Sequence, residues 1–210
     1  TAGGTEANNL AIRGVMEQFP GKKLLISSIE HESVRSVAGK YSHAEIKVNK
    51  YGQLNIEDLA SNINDEVVLV SVIYASNEVG TTQELGKISD LIRETVKGRT
   101  ERGVDTPLYF HSDATQAAQF LNISPKQLGL DLMTLNGGKI YGPKQSGVLY
   151  VKSGIGLEPI IYGGGQEKNL RSGTENIAGC IGFSTALEFA REIAPKETIR
   201  LEKLSVELRT

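Results

Sequence analysis

The sequence predicts an α/β fold on a mostly parallel sheet, and three observations predict it. Short β-rich runs alternate with helical patterns along the chain. The run at residues 67–72, Val-Val-Leu-Val-Ser-Val, is apolar almost throughout, as a strand buried on both faces requires. Polar residues with chemical potential follow one strand after another: His31, Asn77, Asp113 and Lys139. If those strands are parallel, all four gather at one sheet edge, where open α/β sheets bind their ligands.

Gly3, Gly4, Thr5 and Glu6 lead into a helical pattern that runs to Met16. The N–H groups of such a turn and the positive end of the helix dipole suit a phosphate; Thr5 as a plain helix cap is the other reading. Residues 23–27 form a strand and residues 34–38 lie in the next helix, so His31 sits at a strand-to-helix junction. There it can stack on a flat ring or cap the helix. Residues 44–48 alternate as a short strand, and Asn55 has the place of an N-cap for the helix after it.

The strand at 67–72 delivers Asn77, whose amide can donate and accept, or which serves only the turn. Residues 88–96 read as a helix burying Leu91 and Ile92, and the charged, glycine-bearing stretch 97–105 reads as a mobile loop. Residues 108–113 are a strand closed by Asp113, read as half-buried. A carboxylate there needs a donor or a cation, unless it caps the segment that follows.

Strands at 130–135 and 147–151 flank Gly137, Gly138 and Lys139, which puts Lys139 at the mouth of the sheet. Once deprotonated, such an amine can attack a carbonyl and hold it as a Schiff base; the plainer reading is a solvated lysine in a glycine turn. Gly163, Gly164 and Gly165 mark a tight or mobile backbone. Residues 177–190 read as a helix in which Cys180, among Ala178, Gly179 and Ile181, is a packing residue.

The 210 residues allow one large domain or one and a half small ones. A net charge of -2 gives no case for nucleic acid or an anionic membrane. No apolar run is long enough to span a bilayer. The single cysteine excludes an internal disulfide and fits a reducing compartment. The chain opens inside a motif and stops inside an amphipathic pattern, so a fragment of a longer protein is the expectation.

Six motifs stand in order: Gly-Gly-Thr-Glu-Ala-Asn-Asn, Glu-His-Glu-Ser-Val, Asn-Glu-Val-Gly, His-Ser-Asp-Ala-Thr-Gln, Gly-Lys-Ile-Tyr-Gly-Pro-Lys, and Gly-Gly-Gly-Gln-Glu followed by Arg-Ser-Gly-Thr-Glu-Asn. Together they resemble the group I cysteine desulfurases, fold type I pyridoxal-phosphate enzymes of the class V aminotransferase superfamily, over nearly the whole chain. The resemblance implies a three-layer sandwich. Residues 1–190 would be the cofactor-binding large domain without its N-terminal segment, and residues 191–210 the start of the helix leading to a small C-terminal domain.

It also implies roles. Lys139 matches the lysine that holds the cofactor covalently, and Asp113 the aspartate paired with the ring nitrogen. His31 matches the histidine stacked on the ring, which the resemblance also implies takes part in proton transfer. Gln116 matches the donor to the ring's 3-oxygen, and Asn77 a residue near that oxygen and the substrate carboxylate. Gly4 and Thr5 match the phosphate turn. Thr174 matches a threonine reaching the phosphate of the partner subunit's cofactor, which implies a homodimer. The implied reaction converts L-cysteine to L-alanine and an enzyme-bound persulfide, in the cytoplasm, for acceptor proteins such as iron–sulfur scaffolds or for tRNA thiolation. No metal is implied. A selenocysteine lyase, another class V enzyme and a catalytically incomplete scaffold remain open alternatives.

Two departures stand out. The family usually has Ser-Gly-His-Lys where this chain has Asn136-Gly137-Gly138-Lys139. Asn136 can still donate to a phosphate; Gly138 can do so only through its backbone. One or two charge-assisted bonds, each worth roughly 1.5–3 kcal/mol, are lost. The family's persulfide cysteine lies well downstream of Arg-Ser-Gly-Thr, and Cys180 does not match it, so these residues alone are expected to be inactive.

Overall fold

The computed structural model describes residues 1–209. Its centre is a six-stranded sheet of β1 (Lys23–Ser27), β2 (His43–Ile46), β3 (Val67–Ser71), β4 (Tyr109–Asp113), β5 (Leu132–Asn136) and β6 (Gly147–Val151). The order across the sheet is β2-β1-β3-β4-β5-β6. All pairings are parallel except β5 with β6, which is antiparallel. The sequence expectation of a mostly parallel sheet in a three-layer sandwich is met.

Successive side chains of a strand face opposite ways, and the core divides accordingly. Leu24, Ile26 and Leu69 pack against Leu10, Val15 and Val34 of α1 (Gly4–Met16) and α2 (Glu32–Ala38). Leu25, Val70 and Phe110 face the other way, toward Leu59 of α3 (Ile56–Asn62) and Ile88 of α4 (Leu85–Glu101). Asn55 caps α3 through its side chain, which accepts from the Asp58 N–H. A short helix, α5 (Pro125–Leu128), ends in a left-handed Gly129.

Three sequence expectations need correction. Residues 97–101 are helix rather than loop, because α4 runs on to Glu101. Arg99, 1% exposed, is what holds it there. Its guanidinium donates to the carbonyls of Thr106, Pro107, Asn64 and Val67. A charged residue in a polar stretch reads as solvated, and no local pattern shows that it caps four carbonyls of a neighbouring edge. The helix read at 177–190 and the one expected to start at 191 are a single helix, α6 (Ile177–Glu207), continuous through Pro195. Cys180 lies on α6 as read, but it is exposed rather than packed. Among the described residues no helix is long and apolar enough to cross a membrane.

Candidate active site

The strand order reverses at β1, which has β2 on one side and β3 on the other. At such a reversal the connections leave on opposite sides and a crevice opens beyond the strand ends. A cleft lies there, and the sequence-predicted residues Gly4, Thr5, His31, Asn77, Asp113, Gln116, Asn136 and Lys139 all line it. Thr174 does not. It is exposed and lines a separate cavity with Arg171 and Cys180.

Asp113, at the end of β4, is 5% exposed, deeper than its expected half-burial. One carboxylate oxygen accepts from the Thr115 N–H at 3.0 Å, the other from the Asn8 side-chain amide at 2.8 Å. Both sequence readings therefore apply: it caps the turn after β4 and it has a donor partner. Asn8, 1% exposed on α1, gives its other hydrogen to Ser33 Oγ at 2.9 Å. Ser33 Oγ lies 2.8 Å from His31 Nδ1, and the Ser33 N–H donates to the same nitrogen at 3.1 Å. With a backbone N–H aimed at it, Nδ1 is an acceptor, which places the ring proton on Nε2. His31 is thus the N-cap of α2 while its exposed ring lines the cleft.

Beneath the cleft, His111 joins three strands. Its ring nitrogens meet Ser71 Oγ of β3 at 2.8 Å and Thr134 Oγ1 of β5 at 3.1 Å. Burial pushes its pKa down to about 4, against the pull of Asp113, so it is neutral.

At the rim, Gly137–Lys139 form a single 3-10 turn. The Gly137 N–H donates to Ser146 O and the Gly142 N–H to Gly137 O, which pins the turn to the start of β6. Lys139 is exposed at the cleft, and its amine pairs with no carboxylate among the described residues.

The other end of the cleft is the start of α1. Gly3 is the N-cap, with φ +151° and no side-chain cap bond, so Thr5 is not the cap. The approach is close: a Cβ on Gly4 would fall 3.2 Å from Thr115 Oγ1, and one on Gly147 would fall 2.6 Å from the Gly3 backbone. Asn136 Oδ1 accepts from the Gly138 N–H at 3.2 Å. The backbone donor that the sequence left to Gly138 is therefore turned inward, and Asn136 Nδ2 remains to donate into the cleft. Thr115 Oγ1, also lining the cleft, is buried without a partner. Arg171 binds Glu6 at 2.9 Å, joining the 163–176 segment to the first turn of α1.

The cleft therefore has a buried carboxyl group, a helix N-terminus with free donors, an imidazole and an amine with no carboxylate partner among the described residues. This set suits a flat molecule with a cationic ring nitrogen, a phosphate and a carbonyl open to an amine. Asn8, Ser33 and Thr115 were not found from the sequence as site residues. Asn8 carried a signal: it lies one helical turn from Gly4 and four residues before Ile12, a polar residue in phase with a buried face.

The aminotransferase class-V family model matches residues 1–208. The chain is 40% identical over 212 residues to cysteine desulfurase IscS 1 of Archaeoglobus fulgidus, covering 97% of this chain and 52% of that one. It is 36% identical over 211 residues to cysteine desulfurase IscS of Clostridium botulinum, covering 97% and 50%. The chain thus spans about half the length of the curated relatives it matches. Among solved structures it resembles a NifS-like protein with a TM-score of 0.90 at 29% identity, covering 99% of this chain and 56% of that one. The NifS-like protein of Rickettsia africae gives a TM-score of 0.84 at 33% identity, covering 100% and 55%. SspA, solved in complex with cysteine, gives 0.79 at 31% identity, covering 90% and 54%.

Proposed function

The chain belongs to the aminotransferase class-V family, and on that premise we propose that the protein is a cysteine desulfurase that uses pyridoxal phosphate to convert L-cysteine to L-alanine and an enzyme-bound persulfide. The observation that carries this reading is the Lys139 amine, unpaired among the described residues, in the same cleft as the buried Asp113 carboxyl group and the α1 N-terminus. Class V aminotransferase and cysteine desulfurase relatives depend on pyridoxal phosphate. The donor set fits that group: a carboxylate for the ring nitrogen and free donors for the phosphate.

When bound, the cofactor supplies an electron sink for negative charge at the substrate Cα. Lys139 would hold it covalently, and its amine, when free, would carry the proton at the substrate Cα. Asp113 keeps the ring nitrogen protonated, and Asn8 keeps Asp113 oriented. His31, lining the cleft, would stack on the ring and present its Nε2–H. Gln116 donates to the ring's 3-oxygen, and Asn77 serves that oxygen and the substrate carboxylate. Gly4, Thr5 and Asn136 hold the phosphate. Thr174, outside the cleft, reaches the partner subunit's cofactor in a homodimer.

Cys180 lines a different cavity and is not the thiol that takes the sulfur. Residues 1–190 form the cofactor-binding large domain, and α6 leads onward to a small domain. The setting is cytoplasmic, with iron–sulfur scaffolds or tRNA-thiolating proteins receiving the sulfur.

The test is spectroscopic. Pyridoxal phosphate is added to the protein, the absorbance is recorded, and borohydride fixes the adduct for peptide mapping. A visible-edge band and a label on Lys139 are the expected results, with neither in Lys139→Ala. A label on another lysine refutes the site, and alanine formation from cysteine separates a desulfurase from other members of the family.

A further inference from the structure

Glu30 stands between β1 and His31, and no role above uses it. It is 5% exposed. Its Oε1 accepts from Ser27 Oγ and from the Ile73 N–H, each at 2.5 Å. Its Oε2 has no partner, and no lysine, arginine or histidine among the described residues forms an ion pair with it.

The Ile73 N–H explains why a carboxyl is there. β1 and β3 pair as far as Ile26 and Ser71 and then part, since this is where the strand order reverses. Past that point the N–H groups of Val72 and Tyr74 bond β4 residues His111 and Asp113. The intervening Ile73 N–H faces the other way, toward β1, which has ended. Ile73 is buried, and the carboxyl of Glu30 supplies the acceptor that the parted strand no longer offers.

We propose that Glu30 is a positioning residue for this site: clamped between Ser27 and the Ile73 N–H, it holds together the parting ends of β1 and β3, and with them His31 and Asp113, and it does so as an uncharged acid. Of the titratable groups on the elements it joins, Asp113 on β4 opposes its ionisation, and neither His31, next to it in the chain, nor His111 on β4 forms an ion pair with it. Asp113 has donors on both oxygens and Glu30 has an oxygen with none, so of the two carboxyls Glu30 is the less supported as an anion. Burial, with a smaller push from Asp113, raises the Glu30 pKa to about 8, against the pull of its two donors. Only the consequence for ligand binding rests on the cofactor reading above.

The test compares the wild type with Glu30→Gln, which keeps the shape without a charge, and Glu30→Leu, which removes the acceptor. Pyridoxal phosphate affinity is titrated by absorbance from pH 6 to 9.5. The denaturant midpoint of the cofactor-free protein is followed over the same range. Glu30→Gln should bind within a few-fold of wild type at pH 6.5 and should not share the wild-type loss of affinity above pH 8. Glu30→Leu should bind ~10-fold or more weakly throughout, with the Ile73 N–H orphaned.

In the cofactor-free protein the folded state keeps a proton that the unfolded chain releases near pH 4.5, so this part of stability declines as pH rises from 4.5 and is gone above about 8. Glu30→Gln should abolish that decline. Glu30→Gln binding as weakly as Glu30→Leu, Glu30→Leu binding like wild type, or an unchanged pH decline in Glu30→Gln would each overturn the proposal. A wild type that binds no pyridoxal phosphate defeats the cofactor reading, while the cofactor-free midpoints still decide the clamp.

Discussion

Asn8 and Asp113 are 105 positions apart in the chain, yet the Asn8 amide donates to the Asp113 carboxylate at 2.8 Å. The same amide also donates to Ser33. One side chain on α1 thus fixes the carboxylate at the end of β4 and, through Ser33, the imidazole at the start of α2.

Replacing Asn8 tests that arrangement. Asn8→Ala should leave Asp113 with one donor in place of two, weaken pyridoxal phosphate binding ~10-fold, and destabilise the fold by about 1–3 kcal/mol. Asn8→Asp should be worse than Ala despite its closer shape, because it sets a second carboxylate beside Asp113. Absorbance titration and denaturant melts read both effects. An Asp variant that binds better than the Ala variant would show that the amide's donation to Asp113 is not what matters.

Gly138 offers the opposite change, a gain. A Cβ added there meets only Asn136 Oδ1, at 3.7 Å, so a larger side chain has room. Gly138→His should restore a donor of the kind the family resemblance expects and tighten pyridoxal phosphate binding by ~10-fold, the value of one charge-assisted bond. Equal affinity in the two proteins would mean that other donors already saturate the phosphate.

The legibility of this fold in its sequence follows a physical divide. Strands such as Val67–Ser71 and Leu132–Asn136 are written as local apolar runs, and the residues that follow the parallel strands could be placed on one edge before any coordinates. Asn8, Ser33, Glu30 and Arg99 could not be placed in the same way. Each acts through a partner distant in the chain, 32 residues for Arg99 with Val67 and 43 for Glu30 with Ile73. The exposure of Cys180 was missed because small apolar neighbours along a helix say nothing of what packs against that face.

Arg99 gives a prediction about stability alone. Arg99→Leu should fill the space but orphan buried carbonyls, at a cost of about 3 kcal/mol or more. Arg99→Lys should rescue little, since one ammonium cannot replace a planar fork donating with two nitrogens. Thermal melts should show the loss, while pyridoxal phosphate affinity, measured well below the transition, should stay within a few-fold of wild type. A large loss of affinity would tie this edge of the sheet to the cleft.

His111 sets the acid side of the stability profile. Buried between Ser71 and Thr134, it has a folded-state pKa of about 4, below the ordinary value of 6.5. The unfolded chain therefore takes up a proton near pH 6.5 that the folded protein refuses until about pH 4. Between those values the unfolded state binds more protons, and its stabilisation by acid is the protein's loss. His111→Asn, neutral at every pH, is expected to be less stable than wild type at pH 8, where it breaks the bridge between β3 and β5. The gap should narrow as pH falls from 6.5 toward 4, because only the wild type pays the protonation penalty. Denaturant midpoints of the two proteins at pH 8, 6 and 4.5 measure this. A gap that stays constant would mean that His111 is protonated inside the fold, with Asp113 as its counter-charge.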